Sequence, residues 1–170
     1  MTRILIIGYG NPLRGDDGIG WHAANVLRKE LTSETIRVLS VQQLAPELAE
    51  EVSAADYTIF IDADSGPLPK QITITNLKPD PLLQKPFHHH MTPELLLSYA
   101  ESIYGRVSQG ILFSVTGNSF EFNEQLSKPF QVTLKQLLDR IRSLIHTLNS
   151  ESSAKQLHTE TPPSVLAIRQ

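Results

Sequence analysis

The chain has no cysteine. That removes disulfide frameworks, thiolate zinc sites and cysteine nucleophiles together. Long apolar runs are missing as well. Ile4-Leu5-Ile6-Ile7 is apolar but ends at Gly8. A membrane span needs about 20 apolar residues, and a signal peptide needs a longer stretch with a small-residue cleavage site. The expectation is a soluble, cytoplasmic protein with no membrane partner. Positive charge is not in excess: 15 Lys and Arg stand against 18 Asp and Glu, a formal charge of -3. No basic field exists to hold nucleic acid, and a strongly acidic partner is disfavoured on the same ground. What is present is ordinary: 170 residues, 40% hydrophobic and 19% charged, the size and balance of one globular domain with one core.

Apolar runs and turn residues divide that domain. Arg3–Ile7 reads as a buried parallel strand, because its apolar residues do not alternate. A glycine-rich loop, Gly8–Gly18, leads to a helix over about Ile19–Leu31, with Ile19, Ala23, Val26 and Leu27 on one face. Ile36–Val41 is a second strand, Gln43–Val52 a short helix with Pro46 in its first turn, and Tyr57–Ile61 a third strand. Gln71–Thr75 alternates and suits a peripheral strand. Thr92-Pro93-Glu94 marks a helix start that Gly105 later stops. Ile111–Val115 is another buried strand, and the last helix falls between Leu126 and Leu148. Strands alternating with helices predict a three-layer α/β/α fold with about five mostly parallel strands, flanked by helices on both faces. Residues 1–149 make this domain, and the Ser-, Glu-, Thr- and Pro-rich stretch 150–170 reads as a flexible tail.

Ligands of such sheets bind beyond the carboxyl ends of the strands, and three polar clusters fall there. The first is Asp16-Asp17 in the glycine loop, the second Asp62 and Asp64 after the third strand, and the third His88-His89-His90 before the Pro93 helix. A dinucleotide fingerprint would need a third glycine where Leu13 stands, and a P-loop would need Gly-Lys-Ser/Thr. Two acids at a helix start would also repel a phosphate. They could instead cap that helix. Asp62 ends an apolar strand, where a carboxylate is costly to desolvate without a cation or donor, although a loop backbone could be that donor. Asp64-Ser65-Gly66-Pro67 also reads as a turn. Carboxylates with imidazole would suit a divalent transition metal such as zinc, nickel or iron, with positions open for water or substrate.

Together these residues resemble the hydrogenase maturation endopeptidase family. Its opening pattern, a strand and then G-x-G-N-x-L-x-x-D-D/E-G-x-G, is met by Gly8, Gly10, Asn11, Leu13, Asp16, Asp17, Gly18 and Gly20. A strand ending in Asp-Ala is matched by Ile59–Ala63, and Gln42–Leu48 is similar to a recurring second-helix start. Gly117, Phe120, Glu121, Leu126 and Ser127 are similar to a later turn and the helix after it. The resemblance spans roughly residues 3–148.

The resemblance implies three metal-contacting positions. They are Asp17, Asp62 and a histidine, for which the spacing to Met91 favours His89 over His90, with His88 third. Asp16 is then expected to cap or orient the loop. The implied activity is an aspartic-type, metal-recognising endopeptidase that cuts the C-terminal extension from a NiFe-hydrogenase large-subunit precursor after nickel insertion. The substrate's nickel is the recognition element, Asp17 and Asp62 are the candidate catalytic acids, and no organic cofactor is called for. A non-cleaving nickel or subunit-binding chaperone would use the same constellation. Gly8-Tyr9-Gly10-Asn11-Pro12 also resembles the start of peptidyl-tRNA hydrolases, but Leu13–Asp17 replaces that family's T-R-H-N segment and its histidine.

Overall fold

The computed structural model describes residues 1–80 and 90–159, with 152–159 described by backbone alone. Five strands form one sheet: β1 (Ile4–Tyr9), β2 (Ile36–Val41), β3 (Tyr57–Asp64), β4 (Ile72–Leu77) and β5 (Gln109–Thr116). Their order is β2-β1-β3-β5-β4, and only β4, at one edge, runs antiparallel to its neighbour. The helices are α1 (Ile19–Glu30), α2 (Ala49–Ala54), α3 (Pro93–Tyr104) and α4 (Lys128–Thr159).

Strand parity divides the core. Ile4 and Ile6 of β1, with Ile59 and Ile61 of β3, face α1 and α4. Leu5, Ile7 and Phe60 face α2 and α3. Both sides of the central strands are therefore covered, which is why their apolar residues run without alternation. This is the three-layer α/β/α architecture expected from the element order. β1 lies between β2 and β3, and the helices on either side of it change face. The sheet's topological switch point thus lies between β1 and β3, and ligands of such sheets bind beyond the carboxyl ends there.

Thr92 caps α3, its hydroxyl accepting from the Leu95 amide at 3.2 Å, and Gly105 ends that helix at φ 65°. Two boundaries differ from expectation. Pro46–Leu48 is a 3-10 turn, with the α-helix starting only at Ala49. α4 runs to Thr159 rather than ending near Leu148. No proline or glycine interrupts 150–159, and the next are Pro162 and Pro163. The boundary placed at 149 therefore falls within a helix, although Leu148 is the last buried apolar residue of α4 among the described residues. Residues 160–170 lie outside them. No helix among the described residues is long and apolar enough to cross a membrane.

α1 starts against the strands with no space between. A Cβ on Gly20 would overlap the carbonyl oxygens of Ile61 and Tyr9. Those are backbone atoms of β3 and β1, so neither can move without opening the sheet. Gly20→Ala is expected to destabilise the fold by roughly 3 kcal/mol, read as a lower urea midpoint at unchanged m-value.

Candidate active site

The loop between β1 and α1 is built by short local bonds. Asn11 Oδ1 accepts from the Leu13 amide at 2.9 Å, and the Arg14 carbonyl accepts from the Asp17 amide at 3.1 Å. Gly10 has φ 133°, and a Cβ there would overlap the Asp17 carbonyl. Only glycine allows the loop to fold back this tightly. Asp16 and Asp17 lie in a 3-10 turn, Gly15–Gly18. Neither caps α1, whose N-cap is Gly18 with no side-chain bond.

The two acids do different work. Asp16 is completely buried. Its carboxylate accepts four hydrogen bonds: the Asn118 and Ser119 amides at 3.0 Å, the Ser127 amide at 2.9 Å and the Ser127 hydroxyl at 3.0 Å. Ser127 directly precedes α4, so the charge also sits at that helix's positive end. Of the two roles expected for Asp16, capping or orienting the loop, it takes the second, as a latch between two loops far apart in sequence. Asp17 points the other way, with its Oδ2 accepting from the Asn11 amide at 2.9 Å.

Asp62 stands near the end of β3. β1 and β3 pair Gly8 with Ile61, so Tyr9 and Asp62 are the next residues on adjacent parallel strands. Asp62 shares strand parity with Phe60, which places it on the α2–α3 side. Burial pushes its carboxyl up to about 6, hydrogen bonds from the Tyr9 hydroxyl and the Ala63 amide work against that rise, and the charges of Asp17 and Asp64 add to it. Mutual repulsion among the acids is therefore real but secondary to desolvation. Burial, followed by the Asp62 charge, raises the Tyr9 phenol well above its ordinary range, so it stays protonated. The charge of Glu94, in the first turn of α3, adds to that rise.

Asp17 and Asp62 thus both lie at the switch point, close enough for the Asp17 charge to bear on Asp62. Asp64 is exposed and turns its Oδ1 to the Ser65 amide at 2.7 Å. It does not complete a metal-binding trio, and no three His, Asp or Glu side chains do so among the described residues. His88 and the favoured ligand His89 lie outside those residues. His90 is exposed, and Met91 beside it packs on the α2–α3 core that Tyr9 also borders. Met91 therefore stands on the same side of the sheet as Asp62.

Tyr9, beside Asp62, and His22, on α1, were not singled out from sequence. Tyr9 could have been found by parity, since it follows inward-facing Leu5 and Ile7 toward the carboxyl end. His22, on the first turn of α1, meets Trp21 edge-on, with ring centroids 5.2 Å apart. Its Nε2 is buried without a partner among the described residues, and burial lowers its pKa.

No family model and no curated protein matches the sequence. Solved structures do match the fold. The [NiFe] hydrogenase maturation protease HycI from Thermococcus kodakarensis is 23% identical, with 85% of this chain and 93% of that one covered at a TM-score of 0.68. The hydrogenase maturating endopeptidase HybD from E. coli is 21% identical over 86% and 93% of the two chains, with a TM-score of 0.70. A hydrogenase 2 maturation peptidase from a Thaumarchaeota archaeon is 21% identical over 85% and 99%, with a TM-score of 0.66. The fold and the rim acids define an α/β protein with a carboxylate site at its switch point. More narrowly, its fold is that of the NiFe hydrogenase maturation proteases.

Proposed function

We propose that this chain is an endopeptidase that removes the C-terminal extension of a NiFe-hydrogenase large-subunit precursor once nickel has been inserted. The observation that carries this reading is the convergence of Asp17 and Asp62 at the switch point of this particular fold. The structural neighbours described as hydrogenase maturation proteases and peptidases support it.

In the proposed reaction the precursor brings its own nickel. Asp17, Asp62 and His89 touch that metal and hold the adjoining peptide in place, so catalysis begins as positioning. One carboxylate then takes a proton from the attacking water. Asp62 suits that part, because a base titrating near 6 is deprotonated at neutral pH yet still basic enough to accept a proton. Backbone amides of the glycine loop supply donors for the tetrahedral oxyanion.

The test is a mass measurement on a purified, nickel-loaded precursor incubated with this protein. Its mass should fall by that of the tail, while a nickel-free precursor stays intact. Binding without any mass change would point instead to a non-cleaving chaperone. Asp17→Asn keeps an acceptor for the Asn11 amide but loses the charge. It should slow processing by about 100-fold with little change in melting temperature.

A further inference from the structure

The rim of the α2–α3 face holds a tyrosine whose ring has an evident packing role and whose hydroxyl does not. Tyr9 is the last residue of β1, two positions after Ile7, and it packs at the border of the core formed by Leu44, Phe60, Leu96 and Leu97. Phenylalanine would fill that place without desolvating a polar group, which is unfavourable unless the group is bonded. The Tyr9 hydroxyl has a polar neighbour on the next strand, Asp62, and the two groups act on each other. The strand register accounts for the juxtaposition. With Gly8 opposite Ile61, the next two side chains project from neighbouring strands to the same face. Their backbones belong to the centre of the sheet, its least deformable part.

From this we infer that Tyr9 is a positioning residue for the proposed cleavage: its hydroxyl holds the Asp62 carboxylate in one rotamer at the switch point. Among the described residues, two donors act on the carboxylate, the Tyr9 hydroxyl and the Ala63 amide. Of these only the first comes from another strand and can set the angle of the side chain. Without it the carboxylate would turn freely about its χ angles, with Asp17 and Asp64 both repelling it. A base or metal contact must be held within about 0.5 Å to work well.

The inference rests on the proposed endopeptidase reading, and the experiment separates the two. Wild type, Tyr9→Phe, Asp62→Asn and the double variant are compared as full chains. For cleavage of the nickel-loaded precursor, Tyr9→Phe should lower kcat about tenfold and leave KM within about twofold, because the docking surface is intact. For thermal unfolding, the effect of Tyr9→Phe should differ between the wild-type and Asp62→Asn backgrounds, as expected for groups in contact. If Tyr9→Phe has wild-type kcat, or shifts the melting temperature equally in both backgrounds, Tyr9 serves the core alone and the inference is overturned. An inert wild-type chain would overturn the endopeptidase reading, and the positioning role with it.

Discussion

Asp62→Asn is expected to lose at least 100-fold in precursor processing and, at pH 7, to melt at a higher temperature than the wild type. The two results have one cause. The Asp62 carboxyl titrates near 6 in the folded chain, against an ordinary 3.8, with burial as the leading cause. Between those values the folded state binds the proton more tightly than the unfolded state. Stability from this group therefore declines as pH rises through that window, and its cost is fully present above about pH 7. Asparagine has no charge to desolvate and should recover roughly 1–3 kcal/mol at neutral pH. The gain should shrink toward pH 4, where the wild-type carboxyl is itself protonated. Melting curves for both proteins from pH 4 to pH 8 would check this. Equal curves at pH 7 would deny that Asp62 is strained by burial. In parallel, kcat/KM for cleavage should rise with pH through an inflection near 6, because the base must be ionised to act.

The second large effect belongs to the other acid of the pair. Asp16→Ala should cost about 3–5 kcal/mol, since the amides of Asn118, Ser119 and Ser127 and the Ser127 hydroxyl lose a buried charged acceptor together. Asp16→Asn should cost less, because its amide can accept some of these bonds but offers hydrogens where only an acceptor fits. Chemical denaturation measures both. The variants also discriminate between the neighbours: Asp17→Asn should fail in cleavage while folding normally, and Asp16→Ala should fail in folding first. If Asp16→Ala unfolds at the wild-type midpoint, the latch contributes nothing.

Much of this was legible in the residues. The unbroken apolar runs Ile4–Ile7 and Ile59–Ile61 can only be strands covered on both faces, and strands alternating with helices leave few topologies open. That pattern alone puts Asp17 and Asp62 at one rim. Other features were hidden for definite reasons. Asp16 and Asp17 are adjacent and chemically identical; only the approach of residues 118–127 turns one inward and leaves the other at the switch point. The juxtaposition of Tyr9 and Asp62 depends on the β1–β3 register, which neither strand specifies alone. The continuation of α4 to Thr159 was masked by polar composition, although 150–159 lacks any residue that stops a helix. The choice of His89 among the three histidines falls on residues outside those described.

The Asp16 latch also bears on how the protein is born. Its partners lie 102 to 111 residues further along the chain. While a ribosome is still making the middle of the protein, the first loop has nothing to close on, and a buried carboxylate without donors is unfavourable. The loop that carries Asp17 takes its final shape only when the start of α4 emerges. A nascent chain is thus kept from assembling its rim of acids until all five strands of its sheet have been synthesised.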